Sequence, residues 1–236
     1  MLSAHVPTDP GLSRGRIELV IFDLDGTLYS STATTVGAVE CAVRDMNRRR
    51  GLDLPVPGEA LILDGVGSTR DDYVARVIPD LPAGLRAEMG DLIWHWEHEL
   101  IDEGRGSLFP GAIEAMDALA ADGELLAVAT NAGVAYMNFI LDYFSIRRYF
   151  SECWCAGEHG TSDKSELIEG ILRALAVDAS RAVMVGDRES DVAAARAAGT
   201  GAVACTWGFA ERRELAEADR VIASFDELPE LVRTWS

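Results

Sequence analysis

Asp23-Leu24-Asp25 closes an apolar run, Ile17 to Phe22, and is followed at once by Gly26-Thr27. Two carboxylates spaced this way have three chemical uses. One can attack an electrophilic phosphorus and carry the group covalently, splitting a hard step into two. The other can give and take protons. Together they can hold a hard divalent cation through oxygen. Two more apolar runs end in reactive side chains. Leu125 to Ala129 leads into Thr130-Asn131, and Ala182 to Val185 leads into Gly186-Asp187-Arg188-Glu189-Ser190-Asp191. Lys164 lies between them, ahead of a helical pattern. Clustered carboxylates repel one another and call for a cation such as Mg²⁺, which binds through a few carboxylates and bridges to phosphate. Thr130, Asn131 and Lys164 can then hold phosphoryl oxygens. Phosphoryl transfer is mostly positioning and charge stabilisation, and this set offers both.

These residues act together only if the fold brings them to one edge. Open parallel sheets bind ligands beyond the carboxyl ends of their strands, and the three runs end there. Ala202 to Cys205 forms a fourth strand-like run, and Arg220 to Ile222 a short fifth. Helical patterns lie between: Met137, Ile140, Leu141 and Phe144; Leu167, Ile168, Ile171, Leu172 and Leu175; and an alanine-rich stretch from Asp191 to Ala198 that stops at Gly199. Strands alternating with helices imply parallel βαβ units with both sheet faces covered. From about Tyr29 to Leu108 the rhythm breaks. Val36, Val39, Val43 and Met46 make one helical stripe, Tyr73, Val74, Val77 and Ile78 another, and Leu92, Ile93, Trp96 and Leu100 a third. The expected architecture is an α/β doubly wound, Rossmann-like core over 17–28 and 108–236, an all-helical insertion over 29–107, and a loose tail over 1–16.

The set resembles the haloacid dehalogenase superfamily. Asp23-Leu24-Asp25-Gly26-Thr27 matches its first motif, Thr130-Asn131 its second, Lys164 its third, and Gly186-Asp187 with Asp191 its fourth, in order. The nearest branch is similar to phosphoglycolate phosphatases, and the insertion looks like that family's helical cap. The resemblance implies that Asp23 is the nucleophile and a Mg²⁺ ligand, and that Asp25 is the general acid and base, its main-chain carbonyl also a ligand. It implies further that Asp187 is the third protein ligand with Asp191 behind it, and that Thr130, Asn131 and Lys164 bind phosphate. The implied activity is hydrolysis of a small phosphate monoester, phosphoglycolate by default. A dehalogenase is disfavoured by Asp25, since a halide needs no acid. A sugar phosphomutase would use the same residues, and a non-catalytic binding protein would usually have lost a carboxylate. Two positions depart from the usual pattern. Ser165 stands where the third motif often has proline, which would only shape the helix start. Arg188 follows the metal aspartate, where a local structural role is favoured over reaching the substrate.

Other features receive plainer readings. Gly65-Val66-Gly67-Ser68-Thr69-Arg70 is either a loop approaching the cleft, with Arg70 recognising a substrate anion, or a turn with a helix start at Ser68 or Thr69. His95, His98 and His159 read as structural or surface residues. Cys153 and Cys155 would share a face if their segment is a strand. With Cys41 and Cys205 they read as reduced thiols of a cytoplasmic protein. The net charge of −18 disfavours nucleic acid and anionic membranes as partners. No stretch approaches the ~20 apolar residues of a membrane span, and the start of the chain does not read as a signal peptide. The expected partner is a small phosphorylated metabolite, and the expected state a monomer or homodimer.

Overall fold

The computed structural model describes residues 16–161, 163–210 and 213–235. The tail expected over 1–16 lies outside it except for Arg16, whose guanidinium pairs with Glu124 at 2.9 Å.

Six short runs pair into one sheet: β1 (Leu19–Phe22), β4 (Leu125–Thr130), β5 (Glu152–Cys155), β6 (Ala182–Gly186), β7 (Gly201–Cys205) and β8 (Arg220–Ile222). Their spatial order is β5-β4-β1-β6-β7-β8, and every pairing is parallel. The chain leaves β1 toward β4 and β5 on one side, then returns to build β6, β7 and β8 on the other. That reversal puts a crevice at the carboxyl end of β1. The central strands are buried on both faces because alternate residues enter two different cores. Val20, Phe22, Leu126, Val128, Val183 and Val185 face α5 (Ala112–Asp122), α6 (Val134–Tyr143) and α10 (Leu228–Arg233). Leu19, Ile21, Ala127, Ala129, Ala182 and Met184 face α8 (Lys164–Leu175) and α9 (Glu189–Ala198). A short α7 (Ala156–His159) follows β5.

Between β1 and α5 lies the helical insertion: α1 (Thr32–Arg50), α2 (Glu59–Asp64), α3 (Arg70–Val77) and α4 (Arg86–Asp102). All three expected stripes turn inward. Val39, Val43 and Met46 of α1, Val74 and Val77 of α3, and Leu92 and Ile93 of α4 form a separate core. Entry and exit are tied together by β2 (Tyr29–Ser30) and β3 (Ser107–Leu108), which pair antiparallel. Sequence patterning gives no strand at either place, since two residues carry no periodicity. It also leaves β5 undecided, because Glu-Cys-Trp-Cys lacks the aliphatic run of its neighbours. Once formed, β5 sends Cys153 and Cys155 to the same face, against the first core, with Trp154 on the other. All four cysteines are unpaired.

Candidate active site

The carboxyl ends of β1, β4 and β6 converge at the crevice. Asp23 follows β1, and its N–H donates to the Val185 carbonyl at 2.9 Å, fixing it against β6. The chain then turns tightly: Thr27, Leu28 and Tyr29 all donate N–H groups to the Leu24 carbonyl. Gly26 adopts φ 82° there, and a Cβ on it would lie 2.5 Å from Asp187 Oδ2. Glycine is therefore required both by conformation and by space.

Lys164 opens α8 and is only 4% exposed. Its ammonium bridges Asp23 Oδ1 at 2.9 Å and Asp191 Oδ1. Asp191 is fully engaged, because its Oδ2 accepts the Arg188 N–H at 2.9 Å. Asp187 accepts Thr27 Oγ1–H at 3.2 Å and the Phe209 N–H at 2.7 Å. Gly208 permits this approach, since a Cβ there would fall 2.3 Å from Asp187. Carboxylate oxygens of Asp23, Asp187 and Asp191 all lie within 4.8 Å of one another. Burial pushes Asp23 up to about 8, with Asp191 and Asp187 adding to the shift and Lys164 opposing it. Burial and Asp191 push Asp187 up to about 7, against its bond from Phe209. Burial opposes the charge on Lys164, but Asp191 and Asp23 outweigh it and hold its ammonium above the ordinary range. Three carboxylates against one ammonium leave an excess of negative charge, which a hard divalent cation fits. Lys164 lies between Asp23 and Asp191, and Asp187 completes the group of carboxylates that such a cation would meet.

The phosphate-binding candidates Thr130 and Asn131 come at the end of β4, the strand paired with β1. Thr130 ends β4, 2% exposed, its Oγ1 accepting the Ala132 N–H at 3.2 Å. Asn131 donates Nδ2–H to the Gly67 carbonyl of the insertion at 2.8 Å, and its Oδ1 has no partner among the described residues. Asp25 points the other way, into a cavity of about 240 Å³ between the insertion and the start of α6. Its carboxylate accepts the Tyr136 hydroxyl at 2.5 Å, and burial pushes its pKa up against that bond.

The remaining candidates are placed as follows. Arg70 lines the cavity, but its guanidinium donates to the Ala87 carbonyl at 2.9 Å and pairs with Asp91. The Gly65–Arg70 segment both turns and approaches, through Gly67. Thr69 precedes α3 but donates to the Asp72 side chain at 2.7 Å instead of capping the backbone. Arg188 reaches across to the Leu63 carbonyl at 2.6 Å and lies over the Phe209 ring. Ser165 donates its N–H to Asp163 at 2.9 Å, a helix cap that a proline could not complete. His159 stacks on Trp154 and His98 sits against Phe139, both structural.

Sequence reasoning missed Tyr136, Thr35, Tyr73 as a polar group, and Glu97. One signal existed for Glu97: it stands four residues after Ile93 and three before Leu100, a charge within an apolar stripe.

A family model described as haloacid dehalogenase-like hydrolase matches residues 17–199. The chain is 31% identical over 219 residues to a phosphoglycolate phosphatase of Pseudomonas fluorescens, covering 87% of this chain and 76% of the relative. Among solved structures, one described as a predicted phosphoglycolate phosphatase from Haemophilus somnus superposes with a TM-score of 0.82 at 23% identity, covering 94% of this chain and 99% of that one. CbbY from Rhodobacter sphaeroides, solved in complex with phosphate, gives 0.76 at 24% identity, covering 90% and 96%. The chain belongs to the haloacid dehalogenase-like hydrolases. Within that family it is of the phosphoglycolate-phosphatase type.

Proposed function

We propose that this hydrolase is a Mg²⁺-dependent phosphatase of small phosphate monoesters, with the helical insertion over 29–107 acting as a cap on the site. The observation that carries this reading is the junction of Lys164 with Asp23 and Asp191 beside Asp187, with Asp25 facing the cavity alongside. Asp23 and Asp187, with the Asp25 main-chain carbonyl, would hold the cation, and Asp191 would steady Lys164 behind them. Mg²⁺ bound there would offset the charge of the carboxylates and of the incoming phosphoryl oxygens.

Asp23 is one oxygen short of full engagement, since only its Oδ1 is given to Lys164. In this reading a carboxylate oxygen of Asp23 attacks phosphorus, the ester P–O bond breaks, and Asp25 gives the departing alcohol its proton. The raised pKa of Asp25 suits a group that must hold a proton before donating it. Asp25 then takes a proton from water, which attacks the phospho-aspartate, frees inorganic phosphate and restores Asp23. Thr130, Asn131 and Lys164 hold the phosphoryl oxygens through both steps. Phosphoglycolate is the reference substrate suggested by the relatives. Among the described residues no helix is long and apolar enough to cross a membrane. Four unpaired thiols suit a cytoplasmic location.

The test is hydrolysis of an aryl phosphate with Mg²⁺ and with excess chelator. Asp23→Asn removes the attacking oxygen's charge and is expected to lower kcat by about a thousandfold or more, with the circular dichroism spectrum unchanged. Chelator is expected to abolish wild-type turnover reversibly. Near-normal kcat in the variant, or turnover indifferent to chelator, would count against the mechanism. Release of inorganic phosphate separates a phosphatase from a phosphomutase.

A further inference from the structure

Asp25 is held by a residue outside the four motifs. Its Oδ1 accepts the Tyr136 hydroxyl at 2.5 Å, and its Oδ2 makes no hydrogen bond among the described residues. Ser31 lies close enough to favour the charged carboxyl, but its own hydroxyl is left without a bond among the described residues. Tyr136 is therefore the donor that sets how the Asp25 carboxyl is turned. The place of Tyr136 is itself fixed from two sides. It stands near the start of α6, where its ring packs on the first core of the sheet. Trp94 of α4 meets that ring edge-on, with centroids 5.6 Å apart and planes at 68°. Burial holds the phenol well above its ordinary range, so it remains a donor.

We propose that Tyr136, seated by Trp94, is a positioning residue for Asp25: it fixes the carboxyl through Oδ1 so that Oδ2 passes the proton to the leaving oxygen. This rests on the phosphatase reading, because it concerns the proton which that reading assigns to Asp25.

The direction in which Asp25 faces suits this task. In an in-line displacement the attacking and leaving oxygens lie on opposite sides of phosphorus. The acid must then stand beyond phosphorus as seen from Asp23. Asp25 lines the cavity, away from the ammonium that Asp23 shares with Asp191. The protons balance without Tyr136 giving one up. As the ester P–O bond breaks, Oδ2 passes its proton to the departing oxygen, and Asp25 is left as a carboxylate. The Tyr136 hydroxyl then donates to a charged Oδ1 in place of a neutral one. A bond to a charged acceptor is about twice as strong. The contact is therefore tighter in the transition state than before it, which is the condition for raising a rate. When water attacks the phospho-aspartate, Oδ2 takes up a proton from it and the cycle closes.

The experiment measures kcat/KM with Mg²⁺ for phenyl, 4-nitrophenyl and 2,4-dinitrophenyl phosphate, a series of similar shape whose leaving groups need a proton progressively less. This constant covers only the steps through cleavage of the ester, so the later attack by water does not enter it. Tyr136→Phe removes one oxygen and keeps the ring. It is expected to lower kcat/KM by about tenfold or more for phenyl phosphate and by less than about twofold for 2,4-dinitrophenyl phosphate. In an Asp25→Asn background the same substitution is expected to cost less than about twofold on every ester, because no proton is left to place. Trp94→Leu keeps the hydroxyl and loosens its seat. It is expected to steepen the same series by a smaller factor, and it carries the test if Tyr136→Phe does not fold. An equal loss on every ester in either variant would overturn the positioning role, as would a loss of full size in the Asp25→Asn background. An unchanged or raised rate on phenyl phosphate in Tyr136→Phe would overturn it too, and would mean that Tyr136 holds Asp25 away from the leaving group. Absence of turnover of every ester by the wild type would instead remove the phosphatase reading itself.

Discussion

At the scale of single residues, the candidate site divides into groups whose place is written locally and groups whose place is not. Asp23 and Asp25 were legible because two carboxylates, a turn glycine and a preceding apolar run stand together in the chain. Asp187 was legible for the same reason. Glu97 and Tyr73 were not, because they come from separate helices and only packing of α3 against α4 brings them to one cavity. Glu97 carries its own consequence. Burial, reinforced by Asp25, pushes its carboxyl up to about 8 from an ordinary 4.5, against the Thr35 bond. Asp25 and Arg70 are the other charged groups lining the same cavity. Between those two pH values the folded chain keeps a proton that the unfolded chain has lost, so this residue's contribution to stability falls as pH rises. Urea unfolding of wild type and Glu97→Gln across that window checks it. The wild-type midpoint is expected to decline relative to the variant from about pH 5 to pH 8, and parallel curves would count against the buried, proton-holding carboxyl.

At the scale of elements, patterning read the parallel strands because each central one is buried on both faces and so is nearly all aliphatic. β5 escaped because its position at the sheet edge relaxes that demand and admits Glu152 and Trp154. The start of α8 shows how one element sets the geometry of the candidate site. Lys164 is the first helical residue, so the direction of its side chain depends on where the helix begins. That point is fixed by Asp163, whose carboxylate accepts the Ser165 N–H at 2.9 Å and its hydroxyl at 2.7 Å. Those bonds also hold the Asp163 carboxyl below its ordinary range. Asp163→Ala is expected to destabilise the protein by about 1 kcal/mol near neutral pH. Because the folded pKa is depressed, the contribution is present above the ordinary value of 3.8 and is lost as pH falls below it. Chemical denaturation at neutral and acid pH checks both statements. A loss that persists unchanged in acid would mean that the cap is not acting through its charge.

For the whole molecule, the insertion and the sheet core each have their own hydrophobic interior, and they are joined by packing of Trp94 and His98 on Tyr136 and Phe139 as well as by polar contacts. The chain crosses between them at the paired β2 and β3, and the far side is held by two hydrogen bonds to main-chain carbonyls of the insertion. Asn131 reaches Gly67 at 2.8 Å, and Arg188 reaches Leu63 at 2.6 Å. Sequence reasoning placed Arg188 in a local role because nothing in the chain links position 188 to a carbonyl 125 residues earlier. The contact ties the insertion to the sheet edge, and in the proposed phosphatase such a cover would keep bulk solvent from the site and set its partners in place. Arg188→Ala isolates this contact. The main-chain N–H of position 188 still donates to Asp191, so Lys164 and the carboxylates keep their arrangement. What is lost is the bond to Leu63 and the stacking on Phe209. A charge-assisted bond of this kind contributes about 1.5–3 kcal/mol, enough to shift the open–closed balance by about tenfold or more. The variant is expected to show faster amide exchange over 63–70 and a kcat/KM lower by about tenfold, with exchange in β1, β4 and β6 unchanged. Unaltered exchange over 63–70 would show that closure is held elsewhere. Faster exchange throughout the sheet would show that Arg188 supports the fold rather than the fit of one part upon the other.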